Sequence, residues 1–557
     1  MNLQRLLPAL LLFAAACLSA AEQPGRAAIA SAHPAATVAG EETLALGGNA
    51  FDAAVAISAA LAVAEPYSSG LGGGGFYLLR KAGDKPDYRF IDARERAPMA
   101  ANIDLYRRDG KVQPELSLNG ALAAAIPGLP AALVHLAEKY GRLPLRDSLA
   151  PAIRLARDGV SYDRVYLERA GWRLAAMRDD PETARIFLDR GNLPPQLGLL
   201  RQPDLALTLE RLARDGKAGF YSGETAQLLV NGVRNAGGIW TLGDLANYKV
   251  VERQPIHVIL NDGRHLISAP APSAGGIAIA QSLGMLQQLP WREADPVQRT
   301  HFVVEALRRA YHDRSLLGDP DFIKNPVREL LDPAYLHTLT QSIDPKRATP
   351  SSSLPPAGKL HEGNHTTHFS VLDAEGNAVA ATLSINLPFG AAFTPKGSGV
   401  LLNDEMDDFA ADVQGSNAYG LTGSSANAIA AGKRPLSSMS PTFIESPGEF
   451  ASFGTPGGSR IPSMVLLSVL QYLDGQPIER WPSVARYHHQ YLPDVIEHEP
   501  STFSPAQISA LQARGYQLKA LTRQYGNQQV LYWNKTDHRV EAASDPRGVG
   551  TSAVGSK

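Results

Sequence analysis

The chain has 557 residues, 44% of them hydrophobic and 19% charged, with a formal net charge of −2. That composition supplies a large buried core, and the near-neutral balance excludes a polyanion-binding surface, so nucleic acid is not an expected partner. Cys17 is the only cysteine. If its segment is removed, no disulfide framework, thiolate metal site or cysteine nucleophile remains, and covalent catalysis must use Ser, Thr, Lys or a carboxylate.

The N-terminus carries one basic side chain in Met1–Arg5, an apolar run from Leu6 to Ala16, and small residues ending at Ala20. This is the pattern of a bacterial signal peptide over residues 1–20, which places the mature protein in the periplasm or outside the cell. The run is too short for a stable membrane anchor. Lipid attachment at Cys17 is the weaker alternative, since Ala14-Ala15-Ala16 makes a poor lipoprotein signal.

Residues 40–65 read as one helix, followed by Pro66, a glycine-rich turn and strands near 76–79 and 88–92. Mainly helical patterns follow from about 128 to 343: 128–140, 145–158, 204–215, 275–289 and 297–317. Thr241-Leu242-Gly243-Asp244 has the spacing of a capping box. Residues 345–358 contain four prolines and read as an exposed, mobile segment. Strand patterns then take over at 367–373, 378–385, 399–403 and 451–454, with helices at 462–472 and 505–514 and strands at 515–521 and 528–533. The class is α/β, with no internal repeat and a junction near 345–365 between a helix-rich and a strand-rich part.

Two motifs mislead. Gly70–Gly75 matches G-x-G-x-x-G, but a helix precedes it and a strand follows, the reverse of a dinucleotide site. It reads as a turn with close backbone packing. His488-His489 are adjacent, so on a strand they face opposite ways and suit packing or surface better than one metal ion. No Gly-x-Ser-x-Gly elbow is present.

The chemistry concentrates at His365-Thr366-Thr367-His368, just after the proline-rich segment and at the start of a strand. A self-cleaving hydrolase needs a hydroxyl residue there, with an attackable peptide bond before it. Cleavage frees an α-amine of ordinary pKa roughly 7.7–8.0, which serves the same residue's hydroxyl as general base. Alone, a Thr-Thr pair reads as simple strand propensity.

The surrounding motifs decide otherwise. Gly47–Ala56, Glu65-Pro66, Ser69–Phe76, Asp92–Pro98, Thr366-Thr367-His368, Asn403–Phe409, Lys433–Pro441 and Pro456–Arg460 occur in order and together resemble the γ-glutamyltransferase family of N-terminal-nucleophile hydrolases. The resemblance covers nearly all of the chain. It implies a four-layer αββα sandwich, a precursor cut between His365 and Thr366, and subunits of residues 21–365 and 366–557 sharing one core.

The resemblance also implies the roles. Thr366 is the nucleophile, and Ser384 stands where the family usually has a threonine that bonds the nucleophile. Gly457 and Gly458 supply oxyanion-hole N–H groups. Arg94, with Ser437 and Ser438, reads the α-carboxylate of a glutamyl head, while Glu405, Asp408 and Asn386 hold its ammonium. Residues 411–432 are either a lid closing through Tyr419 or a linker. The implied substrate is glutathione or a similar γ-glutamyl amide, passed to water or an amine acceptor, with no metal or organic cofactor. A glutaryl (cephalosporin-type) amide acylase and a catalytically inactive binding relative are the alternatives.

Overall fold

The computed structural model describes residues 23–355, 366–410 and 424–555. The signal segment with Cys17, His365, Tyr419 and most of the 411–432 segment lie outside the described residues.

Two antiparallel sheets form the centre. The first has seven strands in the order Thr551–Val554, Ala28–Ser31, Thr366–Leu372, Ala378–Ser384, Gly74–Lys81, Asp87–Ala93 and Val251–Arg253. The second has six: Arg539–Ser544, Gln529–Asn534, Glu449–Phe453, Thr442–Glu445, His265–Ser268 and Ile256–Ile259. Strand alternation gives each first-sheet strand two faces. Ile29, Tyr77, Leu79, Ile91, Phe369, Val371 and Val379 pack in one core with the helices Pro34–Ala45, Ala50–Ala64, Leu129–Lys139 and Pro203–Asp215. Ala28, Phe76, Leu78, Phe90, Leu372 and Ala380 join a second core. There they meet Phe443, Phe450, Leu531 and Trp533 of the second sheet and residues of Gly275–Leu286, Pro296–Asp313 and Ile461–Leu473. The layers are therefore helix, sheet, sheet, helix.

A buried ion cluster locks the sheets together. Arg80 donates through Nε and Nη2 to the Glu445 carboxylate at 2.8 and 2.6 Å, and Lys535 Nζ donates to the same carboxylate at 2.6 Å. Between the sheets, His368 Nδ1 lies 2.8 Å from Thr382 Oγ1, and the Ser370 and Ser452 hydroxyls bond at 2.8 Å. Gly454 leaves room for the His368 ring, since a Cβ there would fall 2.0 Å from it.

Several sequence expectations need correction. The 40–65 helix is two helices, broken at Leu46–Asn49, where Asn49 and Asp52 form a capping box that starts the second. Residues 399–403 form no strand; only Leu402 bridges to Gly72. The described part of the proline-rich segment is anchored. Ser351 is buried, with its Oγ donating to Tyr491 O at 2.6 Å and its N–H donating to Asp494 at 2.7 Å. The supposed helix-rich part contributes strands to both sheets, and the first sheet interleaves strands from before and after residue 365. The Thr241 capping box is present. His488 and His489 are both buried, bonding Ser463 and Asp494 respectively.

Candidate functional site

Thr366 is the first residue of its strand and is 5% exposed. Alternation puts it on the same face as His368 and Ser370, toward the second sheet, while Thr367 faces the helices. Ser384 lies directly opposite Thr366 in the antiparallel register, close enough for side-chain contact across the pair. The Asn386 N–H donates to Ser384 Oγ at 2.9 Å. Asn386 takes φ 75°, a left-handed conformation that Asn tolerates better than most residues. Its Nδ2 donates to Asp404 O at 3.0 Å and Oδ2 at 3.2 Å, fixing the turn after the strand.

The glycine-rich turn explains how these segments meet. A Cβ on Gly72 would stand 2.0 Å from Leu401 O, and one on Gly73 would stand 2.1 Å from Ser384 O. Backbone therefore packs on backbone beside Ser384, and Gly74 would collide with the Glu95 carboxylate if it had a side chain. The close-packing interpretation of Gly70–Gly75 holds.

Arg94 follows the strand Asp87–Ala93, which ends against this turn, and is 1% exposed. Its Nη1 donates to Glu405 Oε2 at 2.7 Å, its Nη2 bonds Asp408, and Glu95 lies 3.4 Å away. Burial pushes the Glu405 carboxyl well above its ordinary range; Arg94 opposes this, and Glu95 and Asp408 add to it. Burial likewise pushes Glu95 up to about 7, against the pull of Arg94. Oε1 of Glu95 and Oε1 of Glu405 are buried and accept no hydrogen bond from the described residues. Three acids thus crowd one guanidinium, with acceptor capacity to spare.

Ser437 and Ser438 lie on the neighbouring segment. Ser437 Oγ accepts from the Met439 N–H at 3.1 Å, and Ser438 Oγ accepts from Arg314 Nη2 at 2.9 Å. Arg314 is itself buried, and that burial lowers its pKa to about 10.

Gly457 and Gly458 have φ 142° and 56° and lead through a short turn into the helix Ile461–Leu473. The first N–H groups of such an element have no partner within the helix and point outward. Tyr311 O–H bonds Ser459 O, and Ser459 Oγ donates to Gln490 at 2.7 Å, which hold the turn. The structure thus brings Thr366 and Ser384 together, links Asn386 to them, and gathers Arg94, Glu405 and Asp408.

Reading the sequence missed the space beside Thr366. A cavity of about 340 Å³ is lined there by Thr366, Gly457, Glu65, Arg169, Arg523 and Tyr525, among others. Glu65 caps the buried helix Ala50–Ala64 and accepts from Thr367 Oγ1 at 2.7 Å and from Tyr67 O–H at 3.2 Å. Burial pushes its carboxyl up to about 7. Only the Glu65-Pro66 pair hinted at this residue. Arg169, on the helix Arg164–Asp179, and Arg314, in the short turn after Pro296–Asp313, belong to no motif and carry no such signal.

The family model described as Gamma-glutamyltranspeptidase matches residues 36–555. A glutathione hydrolase proenzyme of Escherichia coli (strain K12) is 40% identical over 539 residues, 95% of this chain and 91% of that protein. One from Pseudomonas sp. (strain A14) is 40% identical over 496 residues, 87% and 85% of the two chains. Among solved structures, a cephalosporin acylase from Bacillus halodurans superposes with TM-score 0.82 at 24% identity, covering 96% of each chain. At that identity the likeness shows the fold. A Helicobacter pylori γ-glutamyltranspeptidase chain gives TM-score 0.57 at 35% identity, covering 60% of this chain and 96% of that one.

Proposed function

The chain belongs to the γ-glutamyltranspeptidase family, and on that premise we propose that Thr366 both cuts the precursor and turns over the substrate. The protein is a γ-glutamyl hydrolase and transferase made as a self-processing precursor. The αββα fold is that of N-terminal-nucleophile hydrolases.

Thr366 Oγ attacks the carbonyl carbon of residue 365, and the peptide C–N bond breaks as the Thr366 nitrogen takes up a proton. Hydrolysis of the resulting ester leaves residues 21–365 and 366–557 as two subunits. The Helicobacter pylori chain is matched over 96% of its own length but covers only 60% of this chain, a share close to that of residues 21–365. Removal of residues 1–20 and export to the periplasm complete the proposed maturation. Among the described residues, no helix is long and apolar enough to cross a membrane.

In turnover the freed α-amine takes the Thr366 hydroxyl proton while Oγ attacks the γ-amide carbonyl of glutathione or a related compound. The same amine returns the proton to the departing amine. Water or an acceptor amine then releases the glutamyl group from the threonyl ester. N–H groups of Gly457 and Gly458 take the oxyanion, a role worth roughly 10²–10³ in rate per donor. Ser384 steadies the nucleophile.

The observation that carries the substrate assignment is the buried Arg94–Glu405–Asp408 cluster. A glutamyl head brings one carboxylate and one ammonium. The first takes the Arg94 fork, assisted by Ser437 and Ser438; the second replaces Arg94 as counter-ion to Glu405 and Asp408, with Asn386 as a further acceptor. Charge stays balanced throughout. A glutaryl head brings only the carboxylate and leaves buried acids unanswered, which disfavours the acylase reading. The test is hydrolysis of a γ-glutamyl anilide by purified protein, with and without a dipeptide acceptor. The expected result is two bands on a denaturing gel and anilide turnover stimulated by the dipeptide. A single chain without turnover would favour the inactive relative instead.

A further inference from the structure

From the hydrogen bonds behind the Gly457–Gly458 turn we infer that His488 is a positioning residue for the reaction, holding the oxyanion donors in place through Gln490 and Ser459. The inference rests on the reading of Gly457 and Gly458 as the oxyanion hole. Such donors lower a barrier only if they stay aimed where negative charge develops. The two glycines have φ 142° and 56°, values that glycine permits but does not enforce. The turn's own backbone closes only short bonds, from the Arg460 N–H to Gly457 O at 3.1 Å and from the Ile461 N–H to Gly458 O. The rest of the hold comes from side chains.

Ser459, the next residue, is fixed twice. Its carbonyl accepts from the Tyr311 hydroxyl, and its Oγ donates to Gln490 Oε1 at 2.7 Å. Gln490 Nε2 donates to Leu492 O at 3.2 Å, which leaves Oε1 facing the turn. The same Oε1 lies 2.9 Å from His488 Nε2, and His488 Nδ1 lies 2.6 Å from Ser463 Oγ. Ser463 sits in the first turn of the helix Ile461–Leu473. The bonds therefore run Ser459–Gln490–His488–Ser463, and the chain from Ser459 to Ser463 closes the circuit. The oxyanion turn and the helix that follows it are clamped to one imidazole.

The protonation state follows from the partners. An amide oxygen only accepts, so His488 Nε2 carries the proton and Nδ1 accepts from the Ser463 hydroxyl. That is the neutral imidazole. Burial keeps it neutral, lowering its pKa to about 3, with Arg460 adding to the effect and Gln490 opposing it. The imidazole also meets the Tyr311 ring edge-on, centroids 5.5 Å apart at 83°, which ties the second holder of Ser459 to the same group. An apolar side chain would fill this space equally well. A histidine with both nitrogens bonded adds what packing does not, a fixed orientation for Gln490. His489, next in the chain, serves a separate network, with its Nε2 3.1 Å from Asp494.

The experiment measures kcat and KM for a γ-glutamyl anilide, per mole of cleaved enzyme, in His488→Phe, His488→Gln, Ser459→Ala and the double variant of His488→Phe with Ser459→Ala. His488→Phe keeps the bulk and loses both bonds. It should lower kcat about thirtyfold, less than the roughly 10²–10³ of a deleted oxyanion donor. KM should stay within about twofold of wild type, because the donors act in the transition state. His488→Gln can still donate and accept, and should bring kcat back to within about threefold of wild type. Ser459→Ala should match His488→Phe, and the double variant should be no slower than either single, since all break one chain of bonds. Should His488→Phe fail to fold or to self-cleave, Ser459→Ala and Gln490→Leu carry the same expectation with the imidazole left in place. An unchanged kcat, a loss confined to KM and Tm, or single effects that multiply in the double variant would overturn the positioning role. Gly458→Val measured alongside separates the two readings. Near-normal kcat there would overturn the oxyanion hole and the inference with it, whereas a crippled Gly458→Val beside a normal His488→Phe would overturn the inference alone.

Discussion

Two arginine clusters of the molecule differ in how fully their charge is answered. Arg94 is buried and holds two carboxylates, with a third close by. Arg169 and Arg523 share one carboxylate and face an open cavity. The first arrangement suits a ligand that carries both charges, because exchange of partners leaves no ion bare in a dry site. The second leaves guanidinium charge facing solvent, where it is screened rather than fully paired. Burial makes the first cluster intolerant of an unmatched charge, while partial exposure screens the second.

The contrast breaks first at Arg94. Arg94→Gln should lower kcat/KM about 10³-fold or more on both γ-glutamyl and glutaryl anilides, since both heads keep the carboxylate and buried acids lose their counter-ion. Arg94→Lys, which keeps the charge without the fork, should fall between Gln and wild type. A mild Arg94→Gln phenotype in steady-state kinetics would mean that the glutamyl head binds elsewhere. Asp408→Asn sharpens the comparison. It should cost the γ-glutamyl anilide about 10²-fold or more while barely changing the glutaryl one. Equal harm to both substrates would return the acylase reading to first place.

Smaller effects probe the shared centre. Gly458→Val forces a β-branched residue into φ 56° and should reduce kcat about 10²-fold while the precursor still folds; near-normal kcat would place the oxyanion hole elsewhere. Glu65 gives the weakest signal. Its carboxyl is raised from 4.5 to about 7, chiefly by burial. The folded chain therefore holds a proton that the unfolded chain releases, and stability should fall as pH rises from 4.5 to 7. Glu65→Gln should flatten that slope, on the order of 3 kcal/mol across the window. Denaturant titrations at several pH values measure it, and an unchanged slope would contradict the assignment.

The legible parts of the molecule were those with local pattern. Alternation at 367–373 and 378–385 located the central hairpin, and the helices at 129–139, 145–158 and 461–473 followed from their periodicity. Arg94, Glu405 and Asp408 came from resemblance rather than from physics, for a charge run such as Glu405-Met406-Asp407-Asp408, taken alone, reads better as a solvated turn. Short strands such as Val251–Arg253 and His265–Ser268 stayed hidden because three or four residues carry little periodicity. Only pairing with distant strands makes them strands. The Arg169–Arg523 pair joins a helix to a loop far along the chain, so no local spacing announces it. The interleaving of the first sheet was equally illegible, because strand order is a property of long-range packing.

The central claim is that Thr366 becomes the N-terminus of a catalytic subunit. Intact-mass analysis of purified wild-type protein and of Thr366→Ala tests it most directly. Wild type should give two chains, the smaller matching residues 366–557, with γ-glutamyl anilide activity. Thr366→Ala should give one folded, inactive chain, because one hydroxyl performs both steps. A small subunit beginning at any other residue, or an active Thr366→Ala chain, would contradict the account.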